Sequence, residues 1–243
     1  MEIRGSIALV TGGARRLGRA FSLGLAHSGA RVVVNYNASA DDAATVVAEI
    51  ERTGGSAVAV RADVSQTSHI RRLIAETERA FGGLDILVNS ASLFEQRPFH
   101  EITEADFDRV IAVNLRGPFF LSQAAAPLLA AGAGGLIVNI VDLSAVQAWR
   151  SFAHHAVSKA GLAHLTRVLA RALAPGVRVN AIAPGTVLPP ENYDGQDFGG
   201  GPDRRVLDRP GRPEDAVDAL LWLAGADFVT GQVITIDGGR LLL

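Results

Sequence analysis

The sequence predicts a single-domain α/β protein in which helices flank a doubly wound parallel sheet of about seven strands. Short runs rich in valine and isoleucine are apolar throughout, which is typical of strands buried on both faces. Longer segments with helical periodicity alternate with these runs, as in a parallel sheet covered on both sides. For a chain of 243 residues, one large unit over residues 1–243 is as economical as two small ones.

The elements follow one another regularly along the chain. The predicted strands are residues 7–10, 32–34, 57–60, 86–88, 136–141, 177–182 and 233–236. The predicted helices are residues 16–27, 41–52, 69–81, 104–130, 153–174 and 213–224. Gly29, Gly54 and Gly82 follow the first three helices, as expected where a helix ends.

One segment differs from the rest in composition. Residues 184–213 are rich in proline and glycine. Within them, residues 186–212 predict a lid over a site at the carboxyl ends of the strands. A mobile surface loop is the plainer interpretation, and the two are compatible.

The composition excludes several classes of function. Hydrophobic residues make up 48% of the chain and charged residues 20%, as in a globular protein. With no cysteine, disulfides, thiolate nucleophiles and sulfur-ligated metal sites are excluded, and we expect no metal. A net charge of −2 is too close to neutral for a face that binds nucleic acid or anionic lipid. Without a signal peptide or a long apolar run, the chain is expected to be cytoplasmic, with a small-molecule substrate.

A glycine-rich turn joins the first predicted strand to the first helix. Gly12 and Gly18 would let the backbone approach a pyrophosphate, to which the helix N-terminus presents N–H groups and a partial positive charge. Cations are disfavoured at this end of a helix. Arg15 and Arg16 therefore favour an anion nearby, although a solvated pair is the plainer interpretation.

The end of the second strand indicates which dinucleotide would bind. Asn37 and Ser39 follow this strand, and no acidic residue occurs before Asp41. The carboxylate that would bind a free ribose 2′-hydroxyl is therefore missing. NADP(H) is favoured over NAD(H).

Motifs spaced along nearly the whole chain resemble those of the short-chain dehydrogenase/reductase family. They are residues 11–18, Asp63 and Val64, residues 89–92, Asn114, Asp142, Lys159, Pro184 and Gly185, and residues 212–215, 230–232 and 237–239. Each is weak alone, but their order and spacing are highly specific. The resemblance implies a Rossmann fold and NAD(P)-dependent redox chemistry.

The resemblance also implies which residues contact the cofactor. They are Gly12, Arg15, Arg16, Leu17, Gly18, Asn37, Ser39, Asp63, Val64, Asn89, Ser90, Ala91, Lys159, Pro184 and Gly185. Of these, Asp63 and Val64 would flank the adenine. Arg16, Asn37 and Ser39 are the candidates for the 2′-phosphate.

Within the family, the chain is most similar to the pteridine-reductase-like branch. Arg16 stands where the wider family has the middle glycine of the turn, and Asp142 stands where most members have the catalytic serine. Residues 89–94 match the branch pattern Asn-x-Ala-Ser-x-Phe. The branch implies that Phe94 stacks a pterin against the nicotinamide, with Ser92 on the substrate side. The plainer alternative is that Phe94 packs locally.

The reaction centre departs from the family at its proton donor. Family reductases use a tyrosine hydroxyl, followed four residues later by a lysine that binds the nicotinamide ribose. Here the lysine is Lys159, the one lysine beside 22 arginines, and the position four residues earlier is His155. Imidazole reaches less far than phenol, and its reference pKa is about 6.5 instead of about 10. Either His155 donates the proton at mildly acidic pH with the help of Asp142, or it only fills the tyrosine's space and the proton comes from water or from Asp142.

Three other residues enter the expected site or lie beside it. By family resemblance, Asn114 would hold a relay water. Tyr193 could swing in from the lid to supply a phenol. His154 is one residue out of register and is expected to face elsewhere.

These features predict an NADPH-dependent reductase of a pterin or a small carbonyl compound. The alternative is a dinucleotide-binding protein without catalysis, acting as a sensor or an inert subunit. An ordinary oxoacyl or sugar-alcohol dehydrogenase is a third hypothesis, against which Arg16 and Asp142 both argue. The family also implies that helices 104–130 and 153–174 pair across a twofold axis, in a homodimer or a homotetramer.

Overall fold

Strands and helices alternate along the computed structural model, which describes residues 1–132, 134–188 and 205–243. The strands are β1 (Ile7–Val10), β2 (Arg31–Tyr36), β3 (Ser56–Arg61), β4 (Ile86–Asn89), β5 (Gly135–Ile140), β6 (Val177–Pro184) and β7 (Val233–Ile236). The helices are α1 (Arg16–His27), α2 (Ala40–Arg52), α3 (Thr67–Phe81), α4 (Glu104–Ile111), α5 (Gly117–Ala131), α6 (Ala153–Ala172) and α7 (Pro213–Gly225).

The strands form one parallel sheet in the order β3-β2-β1-β4-β5-β6-β7. The chain moves outward from β1 to β3 and then returns to the other side of β1 at β4. This reversal leaves a crevice between β1 and β4 at the carboxyl ends of the strands, where open sheets of this kind bind ligands. The predicted fold class, a doubly wound α/β sheet of seven strands, is confirmed.

Helices cover both faces of the sheet, and each face has its own apolar layer. On one face, side chains of α1, α2 and α7 such as Phe21 pack against alternate strand residues such as Val10. On the other face, side chains of α3, α5 and α6 such as Leu121 pack against the intervening strand residues, such as Leu9. Because successive strand residues point to opposite faces, strands between two helical layers are apolar at every position.

The predicted helix over residues 104–130 is not continuous. α4 begins at a capping box formed by Thr103 and Asp106 and ends at Ile111, and a π-turn over Ala112–Arg116 separates it from α5. In this turn the N–H of Gly117 bonds to the carbonyl of Ala112, five residues back. Pro118 follows and has no N–H to continue the ordinary pattern. Single π-turns of this kind are frequent at functional sites.

The helices are those of a domain built around a sheet. Among the residues that the structure describes, none forms a helix that is both long and apolar enough to cross a membrane.

Candidate active site

Thr11 joins the two chain segments that border the crevice. Its Oγ1 accepts hydrogen bonds from the backbone N–H groups of Ser90 and Ala91, at 2.9 and 3.0 Å. The turn after β1 and the segment after β4 are thereby held side by side.

The turn after β1 has the shape of a pyrophosphate cradle. Gly12 has a φ of +60°, which favours glycine, and a Cβ on Gly18 would lie 2.1 Å from the Gly12 carbonyl oxygen. The turn therefore closes tightly over the N-terminus of α1, whose N–H groups point outward. These features fit a dinucleotide.

A cleft of about 400 Å³ opens above this turn. The predicted site residues that line it are Gly12, Arg15, Arg16, Leu17, Gly18, Ser90, Ala91, Ser92, Phe94, Asp142, His155, Lys159, Pro184 and Gly185. They come from the ends of four strands (β1, β4, β5 and β6) and from the first two turns of α1 and α6. Residues separated by up to about 170 positions in the sequence thus border one space.

The two arginines of the turn differ in their surroundings. Nε of Arg15 lies 3.6 Å from a carboxylate oxygen of Asp42, in the first turn of α2. Arg16 also borders a smaller chamber of about 160 Å³ in front of Asp142, together with Phe94. Arg15 is thus the arginine on the α2 side, and a contact between Arg16 and the 2′-phosphate stays a prediction. The backbone explains the difference, because Arg16 has a left-handed φ of +50°.

A second cavity lies along the same edge of the sheet and is bordered by one of the predicted adenine residues, Asp63, and by one candidate for the 2′-phosphate, Asn37. Its volume is about 690 Å³. A carboxylate oxygen of Asp63 accepts the Ser65 N–H at 2.9 Å, which shapes the loop after β3. Val64 is buried beneath the loop, and Ser39 precedes α2 without capping it through its side chain.

Asn89 does not reach the cleft with its side chain. It is buried, and its amide donates to Oδ1 of Asn139 at 2.8 Å, while Asn139 donates in turn to Thr166. The contact of Asn89 with the cofactor stays a prediction. As the last residue of β4, Asn89 directs its side chain to the face of the sheet that α5 and α6 cover, where Ser122 and Thr166 lie.

The reaction centre holds an acid, an imidazole and an ammonium group. Oδ2 of Asp142 lies 2.7 Å from Nε2 of His155, and its other oxygen accepts hydrogen bonds from the backbone N–H and the hydroxyl of Ser144. Burial raises the pKa of Asp142, but hydrogen bonds from His155 and Ser144 and the charge of Lys159 lower it further, to about 2. Asp142 is therefore a carboxylate in its resting state.

Both ring nitrogens of His155 face acceptor oxygens. Nδ1 lies 3.0 Å from the carbonyl of Leu93, and Nε2 faces the Asp142 carboxylate. A carbonyl can only accept, so Nδ1 carries a hydrogen, and the contact of 2.7 Å between Nε2 and the carboxyl group holds a proton between them. The hydrogen-bond network thus assigns His155 and Asp142 as a pair that shares one proton.

Lys159 lies on α6 one turn after His155. Its Nζ donates to the carbonyl of Ile140 at 2.8 Å, at the end of β5. Burial lowers the pKa of Lys159, and the carboxylate of Asp142 opposes that shift. Since a buried ammonium is costly, its presence at the cleft indicates a specific polar ligand.

Asn114 lies on the π-turn, and both polar atoms of its side chain, Oδ1 and Nδ2, form hydrogen bonds within the protein. Oδ1 accepts the Leu93 N–H at 2.8 Å, and Nδ2 donates to the Leu93 carbonyl at 2.9 Å and to the Ser158 hydroxyl at 3.0 Å. Both amide hydrogens are thus in use within the protein, and the relay water stays a prediction. The side chain is also fully buried.

The motifs, fold and geometry agree with a comparison against known protein families. A family model described as enoyl-(acyl carrier protein) reductase matches residues 12–240. The chain belongs to the short-chain dehydrogenase/reductase family.

Relatives in this family match along nearly their whole length. A 3-oxoacyl-(acyl-carrier-protein) reductase of Synechocystis sp. is 35% identical, over 97% of each chain. A dehydrogenase/reductase from Sinorhizobium meliloti is 43% identical, with a TM-score of 0.92 over 98% of this chain and 97% of that one. A short chain dehydrogenase from Burkholderia cenocepacia, solved with NADP, is 35% identical, with a TM-score of 0.92 over 99% and 100%.

The short-chain dehydrogenase/reductase pattern did not indicate an aromatic cluster beside the reaction centre. Phe94 stacks on Phe152 with ring centroids 4.5 Å apart, and its ring is at right angles to that of His155 at 4.7 Å. Trp149 meets Phe94 edge-on at 6.2 Å and borders the small chamber. Phe94 is 40% exposed, so it is part of the chamber wall and not a core side chain. Only the aromatic content of residues 149–152 hinted at this cluster.

Two predicted features lie wholly or partly outside the described residues. Tyr193 is among residues 189–204, and so is most of the predicted lid over 186–212. Within the part of the chain that the structure describes, no group of three histidine or carboxylate side chains is arranged to hold a metal ion.

Proposed function

We propose that this protein is an NADPH-dependent oxidoreductase that reduces a pterin or a small carbonyl compound. The observation that carries this proposal is the hydrogen-bonded pair of Asp142 and His155 on the cleft. A reduction of this kind needs a hydride and a proton. The pair is a proton source, held where a substrate beside the cofactor would meet it.

Asp142 is the group that delivers the proton. The side chain of Asp142 is 20% exposed, whereas that of His155 is 1% exposed and engaged at both nitrogens. The Nε2 proton of His155 passes to Oδ2 of Asp142 and from there to the oxygen or nitrogen of the substrate. His155 is left as neutral imidazole with its hydrogen on Nδ1, and Asp142 as carboxylate. Solvent returns a proton through the exposed edge of Asp142.

The cofactor is held by the residues that the family resemblance implies. NADPH, when bound, supplies the hydride from the nicotinamide. Gly12 and Gly18 admit the pyrophosphate, Lys159 binds the nicotinamide ribose, and Arg15 faces the 2′-phosphate. Asp42 would repel that phosphate if Arg15 did not lie beside it. Arg15→Ala is therefore expected to lower the preference for NADPH over NADH, measured as the ratio of kcat/KM values.

The substrate is a small, flat molecule. The chamber in front of Asp142 has about 160 Å³, and Phe94 and Trp149 form its aromatic wall. Such a wall favours a planar ring, as in a pterin, a quinone or an aromatic ketone. Arg16 also lines the chamber and favours a substrate with a carbonyl oxygen or a negative charge.

A substrate panel tests the proposal directly. The protein is incubated with NADPH and dihydropterins, quinones and activated ketones between about pH 5 and about pH 8, and NADPH consumption is followed by absorbance. Turnover that is abolished in Asp142→Asn supports the proposal. Absence of turnover on every compound and at every pH overturns it.

A non-catalytic nucleotide-binding protein is the second candidate. The observation that favours it is that His155 uses both ring nitrogens inside the protein and has almost no exposed surface. It predicts tight NADPH binding, no hydride transfer, and activity that first emerges in His155→Tyr. If the wild type turns over and His155→Tyr slows it, this candidate is excluded.

We also propose that the protein forms a dimer or tetramer through α4, α5 and α6. Large apolar side chains are exposed on these helices, namely Phe107, Phe119, Val157 and Val168. Pairing across a twofold axis would bury each against its symmetry mate or a neighbour. Light scattering of the wild type and of Phe119→Glu is expected to show a loss of assembly in the variant.

A further inference from the structure

The amide of Asn114 holds the backbone of Leu93 at both of its polar atoms. Oδ1 accepts from the Leu93 N–H at 2.8 Å, and Nδ2 donates to the Leu93 carbonyl at 2.9 Å. Asn114 is fully buried, so water does not compete for these bonds. Two hydrogen bonds from one planar amide set both the position and the direction of the Leu93 carbonyl.

That carbonyl is the partner of the His155 ring on the side away from Asp142. It lies 3.0 Å from Nδ1 and can only accept, so Nδ1 keeps a hydrogen. Nδ2 of Asn114 lies 3.4 Å from the same nitrogen, but its two hydrogens are directed at Leu93 and at the Ser158 hydroxyl. The proton that the ring gains or loses is therefore the one on Nε2.

We propose that Asn114 is a positioning residue for proton delivery: it acts through the Leu93 carbonyl to keep a hydrogen on Nδ1 of His155. The ring then exchanges protons with Asp142 through Nε2 alone. In the other neutral tautomer, Nε2 would retain its hydrogen and the empty nitrogen would face the Leu93 carbonyl. A proton arriving through Asp142 could not then be stored on the ring. The importance of this for catalysis rests on the proposed function, but the tautomer itself is measured without turnover.

The experiment is a two-bond ¹H–¹⁵N spectrum of the ¹⁵N-histidine-labelled protein, recorded across the titration of the ring. The His155 signals are identified by their loss in His155→Gln. In the wild type, we expect Nδ1 to keep the shift of a protonated nitrogen at every pH. Only Nε2 is expected to move to the shift of an unprotonated nitrogen as pH rises.

Asn114→Ala removes both hydrogen bonds to the Leu93 backbone, so its carbonyl no longer has a fixed direction. At high pH the ¹⁵N chemical shifts of both His155 ring nitrogens should then be intermediate, as in a mixture of the two tautomers. Asn114→Ser, which cannot span the Leu93 peptide, should do the same and is available if the alanine variant does not fold. The matched control is Asn180→Ala. Asn180 is also buried and also clamps backbone, donating to the Val229 carbonyl and accepting from Gln232, so its loss should leave the His155 shifts unchanged.

The outcomes separate the two proposals. A wild type whose neutral ring carries its hydrogen on Nε2, or an Asn114 variant that keeps the wild-type tautomer, overturns the positioning role. The wild type can instead be inactive yet show the expected tautomer and the expected response to Asn114→Ala. That result contradicts the proposed function and supports the positioning role. An active wild type in which Asn114→Ala alters the tautomer and the pH profile of kcat, but not the KM for NADPH, supports both.

Discussion

Oδ2 of Asp142 lies 2.7 Å from Nε2 of His155, and of this pair only Asp142 also borders the small chamber beside Phe94. The more exposed group of the pair is thus the carboxylate, with 20% of its side chain exposed against 1% for the histidine. The family resemblance implies a phenol at position 155 that meets the substrate directly. In the proposed mechanism the histidine found there acts through Asp142, which passes the proton to the substrate.

The first prediction concerns Asp142→Asn. The amide has the shape of the carboxylic acid but cannot pass a proton on, so kcat is expected to fall about 10²- to 10⁴-fold while the KM for NADPH stays nearly constant. Steady-state kinetics checks this. Asp85→Asn is the control, because Asp85 accepts the Ile7 N–H at the opposite end of the sheet. A loss of less than tenfold in Asp142→Asn would show that the proton comes from elsewhere.

The pH dependence of reduction follows from the shared proton. Reduction takes its proton from the pair, so kcat is expected to decline as pH rises. In His155→Tyr the declining limb should move to higher pH, because phenol has a reference pKa of about 10. The measurement is kcat against pH for both proteins with NADPH saturating. Superimposable profiles would contradict a role for residue 155 in proton storage.

His154 is expected to limit stability in mild acid. Within the described part of the chain, neither of its ring nitrogens has a hydrogen-bond partner, and the residue is 1% exposed. Burial lowers its pKa, as do the charges of His155 and Arg109, while Glu95 and Asp106 oppose the shift. Below about pH 6.5 the unfolded chain therefore binds a proton that the folded site resists, so stability falls as pH falls.

Replacing this side chain should remove that cost. His154→Leu is expected to raise the free energy of unfolding by about 1 kcal/mol near neutral pH, and by more at about pH 5. Urea titrations at the two pH values measure the difference. His164→Leu, at an exposed position of the same helix, is the control and should be nearly neutral. An equal gain in both variants would indicate a general effect of adding leucine to the helix.

The effect of the left-handed backbone at Arg16 on stability can be measured separately from the effect of its side chain. Arg16→Gly and Arg16→Ala both remove the guanidinium, but only glycine adopts a φ of +50° without strain. The glycine variant should be more stable by about 1 kcal/mol, which corresponds to a Tm difference of about 2–4 °C for a chain of this size. Thermal unfolding of the two variants checks this. Equal Tm values would show that this backbone is not strained.

Gly18→Ala is expected to damage the nucleotide cradle. The added Cβ would lie 2.1 Å from the Gly12 carbonyl oxygen, and both atoms belong to the rigid turn. A cost of about 1–3 kcal/mol in stability and a clear loss of NADPH affinity should follow, measured by thermal unfolding and fluorescence titration. Gly225→Ala is the control, because its Cβ would meet nothing within 4 Å. Unchanged NADPH binding in Gly18→Ala would contradict the assignment of this turn.

Much of the fold was predictable because its signals are local. Apolar runs buried on both faces identified the strands, and β1 and β7 have the predicted bounds. The break between α4 and α5 was missed because a π-turn has no distinct periodicity over five residues. The proline at position 118 was its one visible sign.

The sequence by itself determined the sheet, the glycine turn and the positions of Asp142, His155 and Lys159, because each depends on residue type and spacing along one element. Only the tertiary structure decided that Arg15 lies beside Asp42 while Arg16 borders the small chamber. It also decided that the side chain of Asn89 is bonded inside the protein and that Asn114 hydrogen-bonds the backbone of Leu93. The role of Leu93 lies in its backbone carbonyl, which every residue has, so no residue type could have marked it. Contacts between segments separated by tens of residues arise from packing, and one-dimensional spacing does not contain them.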